Sequence, residues 1–194
     1  MGGSQRGRTP REKLQDVVPS PKGLPILFRR CFERTRGPLE INLQTQNCRA
    51  FTQEGFRDYP CSTALNGAGE QEGSGCTPRG QHRIRAIIGR GESDRAVFVG
   101  RRATGELWTP ELHAEHPNRD WILGRILWLC GNERGLNRGG TVDTQRRYIY
   151  LHGTPPVEPM GVPLSHGCIR MRLADICELA DDIKPGAFVT ILES

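Results

Sequence analysis

Hydrophobic and polar positions alternate with a two-residue period at Leu39, Ile41 and Leu43, which predicts a half-buried strand. Cys48 to Thr52 and Phe56 to Thr63 predict two further strands, with Glu54-Gly55 turning the chain between them, so the chain opens on a β-meander. Residues 64–80 contain Gly67, Gly69, Gly73, Gly75 and Gly80 and predict an irregular loop. His82 to Ile88 then reads as a strand with Arg83 and Arg85 opposite Ile84 and Ala86, and Ala96 to Val99 as another. Residues 104–120 return to loop composition. The run Asp120 to Cys130 places Ile122, Ile126 and Leu129 on one helical face and predicts a buried helix, capped by Asn118 or Asp120 and ended by Gly131-Asn132. Tyr148 to Leu151 predicts a short strand running directly into His152, and a loop with four prolines leads to Ser165. From Leu173, apolar residues recur at Ile176, Cys177, Ala180 and Ile183, an amphipathic helix stopped by Pro185-Gly186. Ala187 to Leu192 predicts a closing strand.

Composition supports one strand-rich domain. A chain of 194 residues holds one sizeable core, and 24 Gly with 14 Pro are more than a helical bundle tolerates. Residues 1–37 are polar, proline-punctuated and aperiodic, which predicts an N-terminal extension or arm ahead of a domain over 38–194. The formal charge of +5 favours acidic partners. Its basic groups are dispersed, as at Arg29-Arg30, Arg101-Arg102 and Arg146-Arg147, and aromatics make up 6% of the chain, so nucleic acid is not expected as a partner. Seven cysteines without a CxxC pair argue against a disulfide framework and for a reducing compartment. Residues 1–24 hold no apolar run of signal-peptide or membrane-anchor length, and Leu24 to Phe28 is interrupted by Pro25. The expectation is a cytoplasmic protein without membrane insertion, or a periplasmic one if an export signal has been removed.

Candidate chemistry gathers at His152-Gly153-Thr154 and at Ser165-His166-Gly167-Cys168-Ile169-Arg170. Attack on a peptide carbonyl needs a thiolate, a base for its proton and donors for the oxyanion. Cys168 stands ahead of a predicted helix, whose positive end is expected to lower the thiol pKa. Gly167 allows a tight turn that brings backbone amides to a bound carbonyl. Taken singly, such a cysteine is more often a small buried hydrophobe, and such a histidine a core or surface residue. A zinc site of His152, His166 and Cys168 is a further alternative, against which no fourth ligand has suitable spacing. Two histidines and a cysteine within 17 residues favour the nucleophilic reading.

SHGCIRM, with HGT upstream, resembles the signature of the L,D-transpeptidase (YkuD-type) catalytic domain. TPRGQHRI, YPCSTALNGAGEQEGS, GELWTPEL, DWILGRILWL and VDTQRRYIYLHGTP resemble further segments of a Gram-negative branch, so the likeness runs from Pro38 to Ser194. The resemblance implies a mainly β, single sandwich-like domain with a few helices. It makes Cys168 the nucleophile and His152 its base, oriented by the Gly153 carbonyl. Ser165 and His166 would shape the pocket, and the amides of Gly167 and Cys168 would serve the oxyanion. Arg170 and Trp108 are candidate substrate-binding residues, Arg170 alternatively a brace. Relatives often carry asparagine in place of Leu173, so the helix start is expected to be less well capped. The implied reaction cleaves the diamino acid–D-alanine bond of a peptidoglycan tetrapeptide or muropeptide through a thioester, with no metal or cofactor. Water as acceptor gives an L,D-carboxypeptidase of wall recycling, the favoured reading. An amine gives an exported cross-linking transpeptidase, and a non-catalytic peptidoglycan-binding module is the alternative outside enzymes. Carbapenem-type β-lactams are the implied covalent inhibitors.

Overall fold

The computed structural model describes residues 38–52 and 55–193. The expected arm over 1–37, Cys31 and the Glu54 half of the expected turn lie outside the described residues. In chain order the elements are β1 (Leu39–Asn42), β2 (Asn47–Phe51), β3 (Phe56–Ser62), β4 (Gly80–Ile88), β5 (Ala96–Val99), β6 (Arg102–Leu107), α1 (Pro110–Glu115), β7 (Ile122–Gly131), β8 (Tyr150–Gly153), β9 (Ile169–Met171), α2 (Leu173–Asp182) and β10 (Phe188–Leu192). A 3-10 turn spans Gly140–Val142. The fold is mostly β, as expected.

The strands form one sheet in the order β4-β10-β1-β2-β3-β9-β8-β7-β5-β6, and β4 also pairs with β7. That extra pairing closes the path from β4 through β10, β1, β2, β3, β9 and β8 to β7 into a ring, with the β5–β6 hairpin carried outside on β7. Leu39, Ile41, Leu127, Leu151, Ile169 and Met171 are fully buried in the main core. Each such side chain contributes roughly 1.5–3 kcal/mol by leaving water. Helix α2 presents Ile176, Cys177, Leu179 and Ala180 to this core, along the stripe its periodicity predicts. Its N-cap is Arg172, which makes no side-chain capping bond, so the start is bare one residue before the expected position.

Three expectations are corrected. The run read as a buried helix is the central strand β7, paired with β4, β5 and β8. A strand buried on both faces loses its two-residue alternation, and its apolar run then resembles a buried helix. Gly124 at φ +70° is left-handed, which a helix interior does not accommodate. Residues 104–120 contain the rest of β6 and α1 rather than loop alone; α1 is started by Thr109, whose Oγ1 accepts from the Leu112 N–H at 3.2 Å, with Pro110 in the first turn. Finally, β8 begins at Tyr150, two residues later than expected, so His152 lies within the strand.

Candidate active site

Parallel pairing of β8 and β9 builds the site. Leu151 stands opposite Ile169, His152 opposite Arg170, and Gly153 opposite Met171. Side chains alternate across a strand, so Leu151, Ile169 and Met171 enter the core while Tyr150, His152, Cys168 and Arg170 share the other face. Cys168 there packs against a second apolar cluster containing Phe98, Ile126 and Tyr150. The sheet thus brings His152 and Cys168, 16 positions apart in the chain, onto one face of adjacent strands.

His152 is 1% exposed, and its Nδ1 lies 2.9 Å from the Gly153 carbonyl. A proton on Nδ1 donates there, leaving Nε2 as the acceptor. Burial holds the imidazole pKa below its usual range and Arg170 adds to this, while the Gly153 bond and Asp120 act in the opposite direction. The ring is therefore neutral near pH 7. Gly153 itself admits no side chain: a Cβ would stand 2.6 Å from the Leu123 carbonyl and 2.8 Å from Leu173 Cδ2.

The Cys168 Sγ lies 3.5 Å from the Tyr148 carbonyl. Burial pushes the thiol up to about 12; the Tyr150 backbone N–H lowers it, Asp120 raises it, and Arg170 and Arg147 lower it. This overturns the expectation of a helix-lowered thiol. Strand β9 and Arg172 intervene between Cys168 and the first residue of α2, and a helix end acts within about one turn. No hydrogen bond joins the imidazole and thiol among the described residues, and such contacts often close fully only around substrate.

Ser165 is 2% exposed and pins the turn before Cys168. Its Oγ donates to the Cys168 carbonyl and accepts from the Gly167 N–H at 3.2 Å. The Gly167 amide, expected to serve an oxyanion, is thereby committed to Ser165. Gly167 sits at φ +130°, where a Cβ would meet Ile149 Cδ1 at 3.1 Å and the Cys76 carbonyl at 3.3 Å. Thr77 Oγ1 donates to the Gly167 carbonyl at 3.0 Å, tying the glycine-rich loop to the same turn. His166 is exposed, with no hydrogen bond among the described residues.

Arg170 donates to Asp120 Oδ1 at 2.9 Å and stands 3.7 Å from Glu158, so its charge is already matched. Trp108 is not brought to this face: it is 7% exposed in a satellite cluster with Val97, Trp121 and Leu123. Sequence reasoning misses Asp120, which reads as a helix cap, and Tyr150, in the cluster against which Cys168 packs. Alternation around His152 could place Tyr150 on its face; nothing local marks Asp120 as the partner of a residue 50 positions away.

The six cysteines among the described residues are free thiols. No group of three or more His, Cys, Asp or Glu among the described residues is placed to hold a metal ion. No described helix is long and apolar enough to cross a membrane.

A mostly β domain with a thiol and an imidazole on neighbouring strands is the class that fold and site define. The L,D-transpeptidase catalytic domain family (YkuD) matches residues 38–191, and the chain belongs to that family. No curated protein matches it. Among solved structures, an L,D-transpeptidase from Xylanimonas cellulosilytica is similar at 19% identity and a TM-score of 0.46, over 81% of this chain and 60% of that one. An L,D-transpeptidase from Mycobacterium smegmatis shares 16% identity at a TM-score of 0.44, over 80% of this chain and 58% of that one. L,D-transpeptidase 3 from Mycobacterium tuberculosis, solved with a faropenem-derived adduct, shares 12% at 0.48, over 80% and 59%. The chain thus spans about three fifths of each of these.

Proposed function

We propose that this chain is a cysteine-dependent acyl-transfer enzyme that cleaves the diamino acid–D-alanine bond of peptidoglycan tetrapeptide stems, acting as an L,D-carboxypeptidase. The observation that carries the reading is the shared face of β8 and β9, where His152, with Nδ1 held by the Gly153 carbonyl at 2.9 Å, is set beside the strand of Cys168. Because the thiol and imidazole are both neutral in the resting protein, proton transfer accompanies attack. The Cys168 proton passes to His152 Nε2 as the sulfur–carbon bond forms. The carbon–nitrogen bond then breaks, the imidazolium returns the proton to the departing D-alanine amine, and a thioester remains. Water, deprotonated by His152, attacks that thioester and releases the Cys168 thiol. The Cys168 backbone amide is the assigned oxyanion donor, Ser165 holds its turn, and Arg170 braces the site through Asp120 rather than binding substrate.

Water as acceptor fits a reducing compartment, the setting in which several unpaired thiols persist. The chain is accordingly proposed to work in the cytoplasm on recycled stems. The test is incubation of the protein with disaccharide-tetrapeptide followed by mass spectrometry. Loss of one alanine without larger products is expected. Cross-linked dimers would make the protein a transpeptidase, and unchanged substrate would overturn the reading.

A further inference from the structure

Three arginines lie around the site, Arg170 and Arg147 acting on the thiol and Arg101 on Tyr150, and they differ in how their charge is used. Arg170 is paired with Asp120. Arg147 spends its N–H groups on the carbonyls of Gly69 at 3.0 Å, Glu70 at 2.8 Å and Cys76 at 2.6 Å, fastening the glycine-rich loop. Arg101, in the β5–β6 turn, is different. Its guanidinium lies over the Trp128 ring at 4.4 Å and the Tyr148 ring at 4.8 Å, and its Nη1 donates to the Tyr150 hydroxyl at 2.7 Å. Among the described residues no carboxylate pairs with it, and its other N–H groups have no protein acceptor.

Tyr150, to which the guanidinium donates, belongs to the cluster against which Cys168 and Trp128 both pack, and the Tyr148 carbonyl is the group 3.5 Å from the Cys168 Sγ. Gly100 at φ +53° and Arg101 at φ +70° are the two central residues of the β5–β6 hairpin turn, a two-residue turn that requires this left-handed pair and so fixes where the Arg101 side chain starts. Aromatic faces immobilise the guanidinium plane and leave its edge to meet a flat, two-oxygen anion. An unmatched, preorganised fork of this kind beside a nucleophile suits a carboxylate.

We propose that Arg101 is a specificity-determining residue that receives a carboxylate of the acyl donor next to the bond Cys168 attacks. The inference rests on the acyl-transfer reading above. Two carboxylates of a tetrapeptide stem could supply the anion: that of the terminal D-alanine and the second carboxylate of the diamino acid.

Binding separates this inference from the catalytic reading, which is judged by turnover in protein with Cys168 intact. Stem tetrapeptide is titrated by calorimetry into Cys168→Ser protein carrying Arg101, Arg101→Lys or Arg101→Gln. The ligand is used unmodified, amidated at the D-alanine carboxyl, or amidated at the diamino acid's second carboxyl. The unmodified ligand is expected to bind the Arg101→Gln variant about 10- to 100-fold more weakly, with Arg101→Lys intermediate. One of the two amides is expected to bind with the same affinity whether Arg101 is present or replaced by Arg101→Gln, and that amide identifies the carboxylate. Failure of the unmodified ligand to bind, binding unaffected by Arg101→Gln, or an equal loss for all three ligands would overturn the proposal; the last result leaves Arg101 as a brace for Tyr150. Unchanged alkylation of Cys168 by a small neutral reagent in Cys168-intact Arg101→Gln protein is the expected control for an intact site.

Discussion

The two faces of β8 and β9 bury different chemistry. On the inner face Leu151, Ile169 and Met171 are fully buried in the main core. On the outer face His152 is equally buried, yet it is polar, and its Nδ1 is matched by a backbone carbonyl. Burial on one side stabilises the domain; burial on the other shifts pKa values, holding the imidazole neutral and the thiol protonated. Neighbouring residues of the same short strands therefore do opposite work. The inner face fixes where the strands lie, and the outer face inherits that position.

Substitution on each face separates the two roles. Cys168→Ala is expected to reduce turnover by at least about 10³-fold with an unchanged melting temperature, measured by product assay and thermal unfolding. Comparable activity in the variant breaks the assignment. Ile169→Ala, one residue on, is expected to cost about 2–5 kcal/mol of stability, because it leaves a cavity in the main core. Denaturant unfolding reads that loss, and a loss under about 1 kcal/mol would contradict the packing described.

Acid is a second discriminator. His82 is fully buried between the Gly80 carbonyl and Thr144 Oγ1, each at 3.0 Å, and burial lowers its pKa to about 4. A folded pKa below the unfolded value of about 6.5 means the unfolded chain binds the extra proton. The corresponding stability is complete above about pH 6.5 and lost as pH falls toward 4, about 3 kcal/mol in all. Wild type and His82→Gln compared by denaturant unfolding across this range should differ in slope, the wild type being steeper. His152 carries the same sign. Turnover should persist below about pH 6.5 and fall only as His152 protonates, without the rise between about pH 7 and 9 that an ordinary thiol gives. The smallest effect expected is that of Ser165→Ala, about 1–3 kcal/mol, from the unpaired Cys168 carbonyl and Gly167 amide.

The legible parts of the molecule are those with a local signature. Alternation at Leu39, Ile41 and Leu43 marks β1, and the spacing from Leu173 to Ile183 marks α2 at nearly its observed length. Strand β7 is misread because both its faces are buried, which removes the alternation. Strand β9 escapes notice because three residues are too few to carry a period. Its presence is also why the helix-dipole expectation for Cys168 fails. The His152–Gly153 contact is anticipated through the motif, being local. Arg101 and Asp120 are not, since only the pairing of β5 and β8 with β7 brings them to Tyr150 and Arg170.

The central claim is that the outer face of β8 and β9 delivers a nucleophile, and covalent trapping tests it most directly. The protein is incubated with a carbapenem, its intact mass is measured, and the adduct is located by peptide mapping. One adduct per chain on Cys168 is expected, lost in Cys168→Ala and slowed strongly in His152→Ala. An adduct on Cys76, the other partly exposed cysteine among the described residues, or adduct formation in Cys168→Ala, would contradict the account.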